Sequence, residues 1–316
     1  MRKLVLGLAL CGLSFGAFAQ GEVTIPAGAH PSAEEIGQSL LSGLNKPAGN
    51  QPSAQQMLKT AKTEALNKLK LNEQAKLIEE AVKVIAETQQ VLKLLAEKKT
   101  DEALKLLQKI DQQMAQLVQK YNLYRVPVDV TFVEFDGVND LELAQRLNKA
   151  VKESVNANNF VTARQLLAVL RNEIDIQTTY MPLALYKEAV DLALNFLKQG
   201  KVKAAIYALE SALGTLEVEV TIIPKPILEA QMLVTDAEKI YKTDPQGALK
   251  LLERAVYDIK LTVALGYLPN EKAAEPLLKK IETLMKAIKS NTATAETFKG
   301  VKEELQKVKT EATSHQ

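Results

Sequence analysis

Residues 243–263 read TDPQGALKLLERAVYDIKLTV, and this stretch sets the fold class. Thr243 or Asp244 carries a side-chain oxygen able to accept the unpaired N–H groups of a first helical turn. Pro245 follows at a position where its missing N–H costs nothing. Leu249, Leu252, Val256, Ile259 and Val263 then recur every three or four residues, the stripe of an amphipathic helix packed on neighbours. Ile78, Val82, Ile85, Leu92 and Leu95 trace another such face, and Phe160, Ala163, Leu167, Leu170 and Ile174 a third.

Working outward, the same opening recurs. Lys99-Thr100-Asp101-Glu102-Ala103, Asn159-Phe160-Val161-Thr162-Ala163 and Gly200-Lys201-Val202-Lys203-Ala204-Ala205 each break one helix and begin another. Thr100 is an expected N-cap alongside Thr243 or Asp244. Four residues after the anchoring alanines 103, 163, 205 and 248 come Leu107, Leu167, Leu209 and Leu252. The small Ala lets two helices approach, and the Leu fills the seam between them. The anchors lie 60, 42 and 43 residues apart, a loose series of hairpins. A tetratricopeptide-like peptide-binding scaffold is an alternative, but that repeat is about 34 residues long and has a fuller consensus.

Two segments alternate instead. Val126, Val128, Val130 and Phe132 interleave with Pro127, Asp129 and Thr131; Leu216, Val218, Val220 and Ile222 interleave with Glu217, Glu219 and Thr221. Each reads as a half-buried strand, and pairing them gives a small two-stranded ribbon. The expected fold is mainly α: antiparallel helical hairpins packed as a bundle, with that ribbon closing the four helices between.

The ends differ in kind. Arg2 and Lys3, an apolar run from Leu4 to Leu13, and Ala17-Phe18-Ala19 form an export signal, with cleavage between Ala19 and Gln20. Leu10 before Cys11 is bulkier than a lipoprotein peptidase normally accepts. Residues 20–52 are rich in Gly, Pro, Ala, Ser and Asn and read as a flexible leader. Residues 53–290 form the helical domain, and 291–316 a polar C-terminal tail with one solvated helix over Glu296–Val308. The location expected is periplasmic or secreted, in soluble form after signal removal.

The charge balance excludes several functions. The chain has 316 residues with 40 Lys+Arg and 38 Asp+Glu. Loss of Arg2 and Lys3 with the signal leaves the mature chain formally neutral and without cysteine. Nothing here draws it to nucleic acid or to anionic membranes, and no later run is apolar enough for a membrane span. With two histidines, His30 and His315, both near the ends, His-based metal or catalytic sites are not expected.

Carboxylates remain. Glu79-Glu80 and Glu303-Glu304 are adjacent on helices and diverge by about 100°. Glu217 and Glu219 share a strand face roughly 7 Å apart, a spacing that can hold a cation but more often marks the wet side of a ribbon. No phosphate loop, nucleophile elbow, zinc spacing or calcium loop occurs. The expectation is a non-enzyme with no cofactor and no metal.

Tyr180-Met181-Pro182-Leu183 is the most distinctive string, with Pro182 placed in a first helical turn and Tyr180 and Met181 as packing or interface contacts. The helix after Gly200 is apolar nearly all round, so Ile206 and Tyr207 are expected to be buried by this chain or by a second subunit. From about Val128 to Ala230 the chain resembles the YfdX family of bacterial exported proteins. The resemblance rests on Tyr180-Met181-Pro182-Leu183, Ala189-Val190-Asp191-Leu192-Ala193, Leu197-Lys198-Gln199-Gly200-Lys201, Ala204–Leu213 and Glu217-Val218-Glu219. It implies a helical, periplasmic, stress-associated protein, notably one of acid response, and brings no catalytic residue with it. Beyond Tyr267 it has no counterpart. The function expected is an exported interaction protein, a stress-linked chaperone or assembly scaffold with a protein partner or self-association. The alternative is a helical bundle that binds an apolar small molecule.

Overall fold

The computed structural model describes residues 52–315. The export signal, its cleavage point at Ala19 and Gln20, and the leader up to residue 51 lie outside the described residues. Three helices come first: α1 (Ala54–Gln74), α2 (Glu79–Ala96) and α3 (Thr100–Tyr121). After β1 (Arg125–Phe135) follow α4 (Leu141–Asn156) and α5 (Phe160–Leu170), then β2 (Glu173–Pro182). Next come α6 (Leu183–Lys198), α7 (Val202–Gly214) and β3 (Glu217–Pro224). The chain closes with α8 (Lys225–Ile240), α9 (Pro245–Ala264), α10 (Glu271–Lys289), α11 (Ala295–Ala312) and the two-residue β4 (Ser314–His315). The fold is mainly α, as expected.

Local chemistry places the helix ends. Asp244 caps α9 by accepting from the Gly247 N–H at 2.8 Å, and Asn159 caps α5 through the Thr162 N–H at 3.2 Å. Thr100 is instead the first residue of α3, after an uncapped Lys99. Asn158 and Gly200 turn the α4–α5 and α6–α7 hairpins with φ of 57° and 71°. In that left-handed region Gly has no Cβ penalty and Asn tolerates the strain.

The expected two-stranded ribbon is corrected. The order is β1-β2-β3-β4, all antiparallel, so the two foreseen strands flank β2 and do not pair with each other. β2 hid behind a coincidence: Ile174 lies four residues beyond Leu170 and continues the helical stripe on paper. The helix ends at Leu170, and Arg171 is already extended. Pro182 closes β2 and precedes α6, one residue short of the first turn expected for it.

A β-bulge lets one strand serve two cores. Val126 pairs with Met181 and Pro127 with Tyr180, but Asp129 then pairs with Thr179, leaving Val128 as the extra residue. Without the bulge the even residues of β1 would share one face; with it, Val130 and Phe132 move to the face opposite Val126. Val126, Val128 and Met181 join the core of α2, α3, α6 and α7. Val130 and Phe132 pack with Ile174, Ile176 and Ile223 into the core of α1, α8, α9, α10 and α11.

The polar tail expected over 291–316 is also corrected. Phe298, Val301, Leu305, Val308 and Ala312 of α11 are buried in that second core. Phe298 lies with its ring centroid 4.9 Å from that of Tyr241, and β4 pairs with Thr221 and Ile222. A Lys- and Glu-rich surface masks the stripe because a helix needs only one apolar face to pack.

Candidate interaction surface

The α4–α5 hairpin stands on a small core of its own. Ala144 and Val151 from α4 and Leu170 from α5 meet Leu261, Ala264 and Leu265 at the end of α9. Asn148 Nδ2 donates to the Ala264 carbonyl at 2.9 Å. The Tyr257 hydroxyl donates to the Asn139 carbonyl at 2.9 Å and accepts from the Leu141 N–H at 3.1 Å. Gly137 allows the entering chain to lie against α5's exit: a Cβ there would sit 2.3 Å from the Arg171 carbonyl oxygen. One side of the hairpin is thus fixed, and α5 packs chiefly on α4.

The other side of α5 is apolar and left uncovered by the other described residues. Phe160 is 61% exposed, Val161 72% and Leu167 50%. Helical spacing puts Phe160, Arg164 and Leu167 on one strip, with Val161 and Ala168 beside it. The hairpin series shows why this is unusual. Ala103 with Leu107, Ala205 with Leu209 and Ala248 with Leu252 are buried pairs; Ala163 is buried as well, but its Leu167 is not. Three of the four seams are filled within the chain. The stripe expected through Phe160, Leu167 and Ile174 therefore divides, with Ile174 in the sheet core and the other two at the surface.

The remaining anticipated residues fall at separate places. Tyr180 is half-buried, with the Arg125 guanidinium 4.2 Å over its ring, while Met181 and Pro182 are buried. Ile206 is half-buried against the α2–α3–α6–α7 core, whereas Tyr207 is 71% exposed and Leu192 of α6 about half so. Among the described residues the expectation that α7 is covered all round fails at Tyr207, because α2 and α6 reach only the side carrying Ala205, Leu209 and Ala212.

Glu217 and Glu219 do face a cation, and it is Arg125. Its Nη1 lies 3.0 Å from Glu217, its Nη2 meets Glu219, and the Tyr124 hydroxyl donates to Glu217 at 3.0 Å. That hydrogen bond, with the Glu217 charge, pushes the Tyr124 hydroxyl's pKa up. The carboxylates are consumed by a chain neighbour more than ninety residues away, which strand pairing brings alongside.

Buried charges missed in the sequence hold elements together. Lys225 at the start of α8 meets Glu134 at 3.0 Å and Asp136 at 2.9 Å on the β1 exit. Arg171 lies 2.5 Å from Glu173, 2.8 Å from Asp175 and 3.4 Å over the Phe135 ring. Alternation of Arg171, Glu173 and Asp175 was the available signal. Asp258 is fully buried; burial, then the Glu229 charge, pushes its pKa up to about 8 against the pull of Arg254. Arg254 Nε lies 3.0 Å from Asp258, at ion-pair distance but off the hydrogen-bond direction. Among the described residues no group of three or more His, Cys, Asp or Glu is placed to hold a metal ion, and no helix is long and apolar enough to cross a membrane.

The family described as YfdX protein matches residues 84–222, from within α2 to within β3. That span contains the α4–α5 hairpin, β2, and the α6–α7 pair. Among solved structures, YfdX of Salmonella Typhi aligns at 13% identity with a TM-score of 0.34. The alignment covers 46% of this chain and 90% of that one. No curated protein matches the chain.

Proposed function

We propose, from the match of residues 84–222 to the YfdX family, that the protein is a non-enzymatic, exported helical interaction protein. It acts as a stress-linked chaperone or assembly scaffold, and the α5 face is where it takes up a protein partner. The single observation behind this is the half-exposed Leu167 in a hairpin series whose other three seam leucines are buried. An apolar strip of Phe160, Val161 and Leu167, with Arg164 as its one charge, fits the apolar surface of another polypeptide, either a second copy or an incompletely folded client.

Changing Val161 and Leu167 together to Lys tests this. Both side chains reach solvent, so the melting temperature is expected to shift little. Self-association measured by light scattering, or suppression of a model client's aggregation, is expected to fall several-fold. If neither activity exists in the parent, or both survive the double substitution, the reading fails. Export rests on the Arg2-Lys3 start, the Leu4–Leu13 run and Ala17-Phe18-Ala19. Terminal sequencing of the protein from a periplasmic extract is expected to begin at Gln20; a chain beginning at Met1 overturns it.

A further inference from the structure

A second site lies outside the family region and away from α5. Helices α1 and α11 both pack on α8, and a groove of about 280 Å³ runs between them. Leu69, Leu228, Met232 and Leu305 line it together with the ammonium-bearing chains of Lys68 and Lys309. A volume near the lower end of ligand pockets, roughly 300–1,000 Å³, suits a small ligand.

The charges in the groove are not balanced. Lys302 is taken by Glu238, and Gln231 is tied to Gln306 at 3.1 Å. Lys68 and Lys309 have no carboxylate at ion-pairing distance among the described residues. Burial lowers the pKa of the Lys309 ammonium; Glu73 acts against this and Lys76 with it, but Glu73 is itself held by Lys76 at 2.7 Å. A cation partly withdrawn from water without a counter-ion is an energetic cost that an anion would relieve. The apolar lining asks for a hydrocarbon body on the same molecule.

We propose that the α1–α8–α11 groove binds a small amphipathic anion, a medium-chain carboxylate whose head group meets Lys309 and Lys68 and whose tail lies on Leu69, Leu228, Met232 and Leu305. Met232 supplies a flexible, polarizable wall that adapts to tails of different length.

The test is titration calorimetry of the full exported protein with decanoate below its micellar concentration, with decanol and acetate as controls for tail and charge. Saturable one-to-one binding of decanoate is expected, with decanol and acetate each at least tenfold weaker. Lys309→Met keeps the aliphatic stem and removes the charge; it is expected to weaken decanoate at least tenfold and leave decanol unchanged, with an unaltered melting curve. Lys68→Met should give a smaller loss. Affinity in the parent is expected to fall with rising pH earlier than an ordinary lysine would dictate. Absence of saturable decanoate binding, equal binding of decanol, or full affinity in Lys309→Met overturns the proposal. A Lys309→Met protein that fails to fold moves the decision to Lys68→Met and the decanol comparison, which stand on the parent fold. The Val161 and Leu167 double variant is expected to bind decanoate normally, so failure at one site does not imply failure at the other.

Discussion

Asp258 has no exposed surface, and its nearest cation, Arg254, approaches off the hydrogen-bond direction. Burial and Glu229 both raise its pKa, to about 8 in the folded protein, while an unfolded Asp titrates near ~3.9. Between these values the native state holds a proton that the unfolded state has lost, so this group makes stability fall as pH rises. Its contribution is full below about pH 4 and gone above about pH 8, with a slope of up to about 1.4 kcal/mol per pH unit between them. Asp258→Asn removes that titration. Melting temperatures from pH 5 to 8 are expected to show the variant gaining on the parent as pH increases. A constant offset across the range would mean that Asp258 is already ionised in the folded chain.

At the scale of the element, α11 illustrates how little an amphipathic helix has to display. Its composition is dominated by Lys, Glu and Thr, yet Phe298, Val301, Leu305 and Val308 lie on one buried stripe. Phe298→Ala deletes a fully buried ring packed on Tyr241 and is expected to cost about 3–5 kcal/mol. Denaturant unfolding of the variant measures this; a loss below about 1 kcal/mol would mean that α11 is dispensable to the core. Helix α5 behaves in the opposite way. It is far more apolar in sequence, yet its Phe160 is mostly exposed, because the hairpin rests on α9 chiefly through α4 and α5 reaches that small core only with Leu166 and Leu170.

For the whole molecule, the sheet is what joins two cores. β1 and β2 give residues to both: Val126, Val128 and Met181 to one, Val130, Phe132, Ile174 and Ile176 to the other. Residues from Ala54 onward form one compact unit, and shared strands predict that its two cores unfold together. Met114→Ala in α3 opens a cavity worth about 2–5 kcal/mol in the first core. Under conditions of global opening, hydrogen exchange is expected to accelerate in α9 of the second core as much as in α3. Acceleration confined to α2, α3, α6 and α7 would show two independent folding units.

The amino-acid sequence by itself determined the features whose causes are local. The Asp244 cap, the anchoring alanines and the three-four stripes act within a few residues, so the helical hairpins were legible along the chain. Two strands were legible as well, since alternation is equally local. The tertiary structure alone decided what each surface meets. β2 was hidden because Ile174 satisfies a helical and a strand period at once, and only pairing on both sides selects the strand. Glu217 and Glu219 looked like a wet face until pairing brought Arg125 beside them. Ala163 and Leu167 carry the same spacing as the three buried pairs, and nothing in the spacing says that Leu167 alone of the four leucines stays exposed among the described residues. Such outcomes depend on groups tens of residues apart, and a local pattern fixes which face is apolar without fixing its partner.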